Sequence, residues 1–264
     1  MKNYSDIPIL ISIIVTTHNR PKSLTRALNS IIEQSIKNTQ IVLCADESSK
    51  ETKNIATNYL REQDIFLVLP QIKGPSGTRN AGLQFSQGKY VCFLDDDDYF
   101  EKDYFRDVFA TNCISENKLY YFNWKVVEDG GTGMSTSKLV EVISFPHLNK
   151  LDLLHMNFIA NNSFIVSRLL AKEIIFDENL RSHEDWDYLI GLSKIVEFQY
   201  LDVWGPVVNK NQDKDSRNSN GDNNQTLIDY LCIYLKWPGL DERVINARYE
   251  LVCSKGLAVS KVSL

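Results

Sequence analysis

The sequence predicts an α/β protein with a mixed, mostly parallel, Rossmann-like sheet flanked by helices and followed by a short helical tail. Apolar runs rich in β-branched residues alternate with amphipathic helical segments four times within about the first 115 residues. Each apolar run is followed by a polar loop, and in parallel sheets such loops gather at one edge and bind ligands. The second half of the chain mixes strand-like and helix-like segments less regularly.

The first unit begins with a buried strand at residues 9–15 and continues with a helix. Pro21 suits the first turn of that helix, and Leu24, Leu28 and Ile31 form an apolar stripe at helical spacing. In the second unit, Ser48 and Glu51 have the spacing of a capping box at a helix start. The later strands of these units are expected at residues 40–45, 65–69 and 90–94.

The second half is predicted to contain strands at residues 119–127 and 138–145, a helix in HLNKLDLLHM and a strand in NNSFIVS. A further helix opens with the acids of SHEDWDY, and EFQYLDVWGPVVNK is interpreted as two strands separated near Gly205. The Asn/Asp-rich segment NQDKDSRNSNGDNNQ is expected to be a loop. From Leu227 onward the chain is predicted to be helical.

The composition is that of an ordinary globular protein, with 264 residues, 43% of them hydrophobic and 24% charged. The net charge of −5 argues against a general nucleic-acid-binding protein, because such proteins carry a basic face. None of the five cysteines belongs to a CxxC pair, so we expect small buried side chains in a reducing compartment. No apolar run approaches the roughly 20 residues of a membrane span. The chain is therefore expected to be cytoplasmic, either free or attached peripherally to the inner face of a membrane.

The segment YVCFLDDDDYF places four consecutive aspartates, residues 95–98, at the end of a predicted buried strand. Two carboxylates about 4 Å apart repel by roughly 4 kcal/mol at an effective dielectric constant near 20, so the run requires solvent or a cation. A solvated strand exit that caps a helix needs only one aspartate. A calcium loop is excluded, because Phe100 and Arg106 occupy the positions that require glycine and glutamate.

Two enzymatic interpretations of the acidic run remain. An aspartyl phosphotransferase would use Asp95 as the nucleophile and Asp97 as the acid/base, but Tyr99 stands where that motif has Thr or Val. A divalent-cation site for a diphosphate fits better. Mg²⁺ and Mn²⁺ prefer carboxylate oxygens and fill their remaining positions with phosphate and water.

A second acidic cluster, SHEDWDY, places Glu184, Asp185 and Asp187 in the first turn of a predicted helix. Complementation of the helix dipole, about 0.3–1 kcal/mol per acid, is one explanation. The other is a general base, because a carboxylate held beside an apolar tryptophan can take a proton from a hydroxyl. One histidine, His183, without a second at helical spacing is a weak indication of a metal site.

Three segments together resemble glycosyltransferase family 2 of the GT-A fold, namely SIIVTTHNRPKSLTRALNSIIEQS, GTRNAGLQFSQGKYVCFLDDDD and HEDWD. The resemblance implies an inverting, divalent-metal-dependent transfer of a sugar from a nucleotide-sugar donor to a hydroxyl of a glycan or lipid-linked saccharide acceptor, as in surface-polysaccharide synthesis. It also implies three regions. Residues 1–115 bind the nucleotide sugar, residues 116–225 bind the acceptor, and residues 226–264 form a helical extension.

The resemblance assigns the donor nucleotide to the loop after the first strand, here Thr16, Thr17 and His18. Arg79 matches the arginine that lies beside the nucleotide in the family. After the second strand the family usually has two adjacent aspartates, the first of which reads uracil. Here Ala45 occupies the first position and only Asp46 remains, which leaves GDP- or dTDP-sugars open beside UDP-sugars.

The resemblance also assigns the acidic residues. Asp95 and Asp96 match the start of the DxD-type motif, which contacts ribose and metal, and Asp97 matches its ligand to Mn²⁺ or Mg²⁺. Asp185 matches the catalytic base, which deprotonates the acceptor hydroxyl for attack on the anomeric carbon.

Acceptor binding is expected around the base. Asn162 falls where the family shapes its acceptor pocket, and Glu184 and Trp186 flank Asp185. The family often has a metal- or diphosphate-binding His after the base helix, where this chain has NKNQDKDSRNS. The residues that could substitute for this histidine are Asn211, Gln212, Asp213, Lys210, Lys214 and Arg217.

Two rival functions remain open beside glycosyl transfer. One is the aspartyl phosphotransferase. The other is a sugar-nucleotide or glycan binding module without turnover, which Ala45 and the missing histidine favour. The aromatic stripe of the tail is interpreted as a packing or homodimer surface rather than a membrane anchor.

Overall fold

The computed structural model describes residues 8–72, 74–128, 137–210, 223–256 and 260–261, and within them the chain folds around a seven-stranded sheet. The strands of this sheet are β1 (Ile11–His18), β2 (Thr39–Glu47), β3 (Ile65–Val68), β4 (Tyr90–Asp95), β6 (Lys118–Phe122), β9 (Phe164–Ser167) and β10 (Glu197–Leu201). Their order is β10-β6-β9-β4-β1-β2-β3. Only β9 runs antiparallel to its neighbours in this sheet. The predicted mixed, mostly parallel α/β fold is confirmed.

The central strands are buried on both faces, which explains their apolar, β-branched sequences. Side chains alternate across a strand, so β1 contributes Ile14 to the core on one face and Ile13 and Val15 to the core on the other. The register places Thr16 of β1 level with Asp95 of β4. The first polar residue after the β1 core therefore lies beside the first acid of the aspartate run.

Helices cover both faces of the sheet and complete the strand–helix units. They are α1 (Pro21–Ile32), α2 (Lys50–Tyr59), α3 (Pro75–Phe85), α4 (Tyr104–Ala110), α5 (Lys150–Leu153), α6 (Arg168–Ala171), α7 (Glu184–Ser193), α8 (Asn223–Lys236) and α9 (Glu242–Ser254). Pro21 starts α1 as predicted. The cap of α2 is Ser49 rather than Ser48, since its side chain accepts the Thr52 N–H. Within HLNKLDLLHM only the single turn of α5 is helical.

A second sheet of four strands, in the order β5-β11-β7-β8, stands beside the first. It consists of β5 (Tyr99–Phe100), β7 (Trp124–Glu128), β8 (Lys138–Ile143) and β11 (Pro206–Asn209). The stretch predicted as one strand at residues 119–127 is divided at Asn123, whose side chain donates to Asp202 Oδ1 at 2.7 Å. The chain thus passes between the two sheets at Asn123, and again between Asp95 and Tyr99.

The predicted helical tail is confirmed, although α8 begins at Asn223 rather than Leu227. Lys236 Nζ and Trp237 Nε1 both donate to the buried Asp187 of α7, at 2.8 and 2.7 Å. Arg248 of α9 is also buried and donates to the carbonyl of Leu154. The tail is therefore packed into the core. None of the helices in the described part of the chain is both long enough and apolar enough to cross a bilayer.

Candidate active site

The carboxyl ends of β1 and β4 bring together two threonines and two aspartates. Thr16 Oγ1 donates to Asp95 Oδ1 at 2.7 Å, and Thr17 Oγ1 donates to Asp96 Oδ2 at 2.6 Å. Both pairs follow from the parallel register, which sets residues 16 and 95 opposite each other. The predicted donor loop and the predicted acidic motif therefore share one crevice at this edge of the sheet.

The end of β2 closes one side of the crevice. His18 Nδ1 lies 2.8 Å from Asp46 Oδ1, and Asp46 Oδ2 accepts the N–H of Gly74 at 3.2 Å. Gly74 has a φ of +85°, a conformation that favours glycine. The Asp46 carboxylate thus connects the loops after β1 and β2 to the start of α3, while His18 keeps 58% of its side chain exposed.

Arg79, on α3, is the buried cation at the centre of the site, with only 3% of its side chain exposed. One terminal nitrogen donates to Asp95 Oδ1 at 2.8 Å, and the other donates to Glu184 Oε1 at 2.7 Å. Burial opposes ionisation of Asp95, but Arg79 and the Thr16 hydroxyl outweigh it and hold the pKa of Asp95 below its ordinary value. One guanidinium therefore joins the first acidic cluster to the second.

A second arginine, Arg20, neutralises the middle of the aspartate run. Its terminal nitrogens lie 2.6 Å from Asp96 Oδ1 and 2.6 Å from Asp97 Oδ2. The side chain of Arg26 donates to the backbone carbonyl of Asp97. Asp96 is fully buried, whereas Asp97 keeps 19% of its side chain exposed. Of these two acids, Asp97 is the one that a ligand in the crevice can reach.

The last aspartate of the run, Asp98, is buried and fixes the loop through hydrogen bonds to other parts of the chain. Its Oδ1 accepts the Asn209 N–H at 2.9 Å, and its Oδ2 accepts Asn162 Nδ2 at 3.2 Å. Burial, together with the charges of Asp97 and Asp95, raises the pKa of Asp98 well above its ordinary value. Each of the four acids thus has different partners, and these partners offset the repulsion between the neighbouring carboxylates.

The crevice offers hard oxygen ligands to a divalent cation. Asp95 and Asp97 keep 30% and 19% of their side chains exposed, and Mg²⁺ and Mn²⁺ are commonly held by one or two carboxylates plus phosphate oxygens. Within the described ranges, no three His, Cys, Asp or Glu side chains are grouped to hold a metal by themselves. The residues fit a cation that shares its coordination with a bound diphosphate.

Asp185 lies in the first turn of α7, next to Glu184 and opposite Asn157. Asn157 Oδ1 accepts the Ile159 N–H at 3.2 Å, which turns Asn157 Nδ2 toward Asp185 Oδ2, also at 3.2 Å. Burial, followed by the like charge of Glu184, raises the pKa of Asp185 to about 7. A carboxylate with such a pKa is suited to accept a proton near neutral pH.

Two of the predicted acceptor residues, Trp186 and Asn162, are buried in the structure rather than exposed in the crevice. Trp186 is fully buried, and its Nε1 donates to the Leu153 carbonyl at 2.7 Å. Asn162 is 1% exposed and holds Asp98 in place. Glu184 lies at the site, but its carboxylate faces Arg79. The residues predicted to replace the family's histidine, from Asn211 on, lie outside the described residues.

Sequence reasoning missed two residues that the structure places at the site, Arg20 and Asn157. Arg20 belongs to the THNRP segment of the resemblance, so its position could have been noticed. Nothing in the sequence around Asn157 indicates contact with Asp185, because the two residues meet only through the packing of α5 against α7.

The chain was compared with known protein families and curated proteins. The model of glycosyl transferase family 2 matches residues 12–175. The amylovoran biosynthesis glycosyltransferase AmsB of Erwinia amylovora is 27% identical over 210 residues, which are 76% of this chain and 69% of that protein. A GalNAc(5)-diNAcBac-PP-undecaprenol β-1,3-glucosyltransferase of Campylobacter jejuni is 40% identical over 91 residues, which are 33% of this chain and 29% of that protein.

Solved structures share the fold. Staphylococcus aureus TarS in complex with UDP-GlcNAc superposes with a TM-score of 0.64 at 20% identity, covering 96% of this chain and 74% of that one. The mannosyltransferase PcManGT of Pyrobaculum calidifontis, in complex with GDP-Man and Mn²⁺, gives a TM-score of 0.63 at 12% identity, covering 95% and 70%. The GT-A fold is thereby confirmed, and the family match over most of the chain shows that this protein is a glycosyltransferase belonging to family 2.

Proposed function

We propose that the protein transfers a sugar, with inversion, from a nucleotide-sugar donor to a hydroxyl group of a glycan or lipid-linked saccharide. The observation that carries this proposal is the Arg79 guanidinium, which joins Asp95 in the donor crevice to Glu184 beside Asp185. A base with a raised pKa therefore stands next to the site of the leaving group. Asp185 removes the proton of the acceptor hydroxyl, and the resulting oxygen nucleophile attacks the anomeric carbon from the face opposite the diphosphate.

On the donor side, we assign the nucleotide to the carboxyl ends of β1, β2 and β4. Thr16, Thr17 and His18 line this crevice with Asp46, and Asp95 and Asp96 are fixed by the threonine hydroxyls. The buried positive charge of Arg79 lies where negative charge develops on the departing diphosphate, and preorganised charge of this kind stabilises the transition state.

We propose that Asp97, with Asp95, holds Mn²⁺ or Mg²⁺ when the donor is bound. A divalent ion would supply additional positive charge to the leaving diphosphate. The exposed carboxylate of Asp97 and the oxygen chemistry of the site support this assignment. The PcManGT structure, which has the same fold, contains Mn²⁺.

The acceptor side is proposed to lie along residues 157–162. This segment begins at Asn157, which contacts Asp185, and ends at Asn162, which contacts Asp98. Within it, the Nδ2 and Oδ1 atoms of Asn161 are buried and have no hydrogen-bond partner among the described residues. Buried polar groups are nearly always hydrogen-bonded, so Asn161 is a candidate for contact with a sugar hydroxyl. The C. jejuni relative is named for a lipid-linked acceptor, and an acceptor of this kind would bring this protein to a membrane surface.

The rival phosphotransferase finds little support in the geometry. Its nucleophile would be Asp95, but one carboxylate oxygen of Asp95 accepts from Thr16 and Arg79, and the other accepts from Arg79. A carboxylate held in this way is a poor nucleophile. The family match favours transfer over the binding module without turnover, and sugar transfer by the wild-type protein distinguishes the two.

Nucleotide binding tests the donor crevice directly. We expect one nucleotide from a panel of UDP, GDP, dTDP, CMP and ADP to raise the melting temperature, and to do so more strongly with Mn²⁺. At 100 times its dissociation constant, a ligand adds about 2.7 kcal/mol of stability. Asp97→Asn, which keeps the side-chain shape, should remove the Mn²⁺-dependent part of the shift. Asp107→Asn, on a side chain that is 49% exposed, is the matched control and should leave it intact. A panel in which no nucleotide shifts the melt would contradict the donor assignment.

The pH dependence tests the assignment of Asp185 as the base. Because the pKa of Asp185 is raised to about 7, we expect kcat/KM for transfer to rise with pH through about 7 and then to level off. Glu184→Gln removes a like charge, so its rate profile should rise at lower pH. A wild-type limb near the ordinary aspartate pKa of about 3.9 would contradict the raised pKa of the base. Between that value and about 7 only the folded state holds the proton, so this group lowers the free energy of unfolding as pH rises.

A further inference from the structure

Asp229, in the C-terminal helix α8, contacts the segment that leads into the proposed base. Its Oδ2 accepts both the N–H and the hydroxyl of Ser182, at 2.9 and 2.8 Å. Its Oδ1 accepts Gln225 Nε2 at 3.0 Å. Asp229 is only 2% exposed. A carboxylate removed from water to this extent is tolerated only when its oxygens accept hydrogen bonds, and two of the three bonds described here come from Ser182.

Ser182 in turn contacts the next residue, His183. The Ser182 hydroxyl has one proton and gives it to Asp229, so the 2.9 Å contact between Ser182 Oγ and His183 Nδ1 requires His183 to donate. His183 has a φ of +59°, a left-handed conformation that is uncommon for a residue other than glycine. Its ring packs 4.5 Å from that of Tyr230, also on α8. Helix α8 therefore holds the strained residue from two directions.

His183 immediately precedes α7, and Asp185 is the second residue of that helix. The position of the Asp185 carboxylate depends on where α7 begins and in which direction it leaves His183. A displacement of about 1 Å in a reacting group can cost on the order of 10²-fold in rate. The contacts of Asp229 thus hold the start of α7, which fixes the direction of the Asp185 carboxylate. Asp229 itself does not touch Asp185.

We propose that Asp229 is a positioning residue for Asp185, so that the C-terminal extension takes part in catalysis as well as in packing. This inference rests on the proposed function, because it requires Asp185 to act as the base. The extension lies beyond the residues matched by the family model. The donor crevice is built from the loops after β1, β2 and β4, so the inference predicts a defect in transfer without a defect in nucleotide binding.

The test compares Asp229→Ala with Asp64→Ala in the full chain. The Asp64 side chain is also buried, and it accepts the Ile41 N–H at 2.7 Å near the amino end of β2, away from the crevice. Both variants therefore lose a buried, hydrogen-bonded carboxylate, while only Asp229→Ala releases Ser182 and His183. The measurements are kcat and KM for transfer, the dissociation constant of the nucleoside diphosphate, and the pH dependence of kcat.

We expect Asp229→Ala to lower kcat by at least about tenfold, to shift the pH limb that reports Asp185, and to leave the nucleotide dissociation constant within about twofold. Asp64→Ala should lower kcat by less than about threefold. Asp229→Asn, whose amide oxygen can still accept from Ser182, should restore part of the rate. If kcat falls equally in the two alanine variants and the pH dependence of kcat is unchanged in both, Asp229 contributes only to packing. A wild-type protein without transfer would instead overturn the proposed function.

Discussion

Replacing Asp185 with asparagine should lower the rate of sugar transfer by roughly 10²–10⁴-fold, which is the usual contribution of a general base. Asparagine keeps the shape of the side chain and can still accept the Asn157 Nδ2 hydrogen bond. It cannot take the proton of an acceptor hydroxyl. We therefore expect kcat to fall while the nucleotide dissociation constant stays unchanged, as measured by initial rates at saturating donor and by calorimetry.

The control for this experiment is Asp177→Asn, a substitution on the partly exposed partner of Lys236. It removes the same charge from the same side of the molecule and should leave the rate within about twofold of wild type. If Asp185→Asn retains wild-type turnover, the base lies elsewhere. If neither the wild type nor the variant transfers sugar while both bind nucleotide, the protein is a binding module.

Arg79→Met should have the largest effect on stability. Its removal leaves Asp95 and Glu184 without their shared cation in a site where Arg79 itself is only 3% exposed. Breaking a buried ion pair by deleting one partner typically costs about 3–5 kcal/mol. We expect a loss of this size in the free energy of unfolding, measured by urea denaturation, and the loss of nucleotide-dependent stabilisation with it.

Arg106→Met is the matched control, because the Arg106 side chain is 55% exposed and also pairs with two acids, Asp103 and Asp107. Exposed ion pairs contribute about 0–1 kcal/mol, so this variant should remain close to wild type. Adding Glu184→Gln to Arg79→Met should recover part of the lost stability, since one uncompensated charge disappears. A loss below about 1 kcal/mol for Arg79→Met would show that the acids are adequately solvated without it.

Much of the fold could be predicted from the sequence, because local pattern and burial agree in the first half. The β-branched runs that form β1, β2 and β4 are buried on both faces in the structure, as their lack of polar alternation indicates. The polar loop after each of these strands then had to lie at one edge of the sheet. The alternation of strands and helices therefore predicts that Thr16, Asp46 and Asp95 share a single crevice.

The remainder depended on contacts between residues far apart in the chain. The sequence around Asn123 has the pattern of an uninterrupted strand. The change of sheet is marked by long-range bonds from Asn123 to Asp202 and Val203. Trp186 follows Asp185 directly, yet the helix turns it into the core. Ser182 and Asp229 are brought together by helix packing, which local periodicity does not encode. The THNRP segment could place Arg20 near the site, but its pairing with Asp96 and Asp97 depends on the fold.

The run of four aspartates is also a connector of fixed length. Asp95 is the last residue of β4 and is in register with Thr16, while Tyr99 begins β5 and is in register with Val207 of the other sheet. Inserting or deleting one residue between them would slip one strand and reverse the faces of its side chains. The number of residues in the connector is therefore set by the two sheets that it joins.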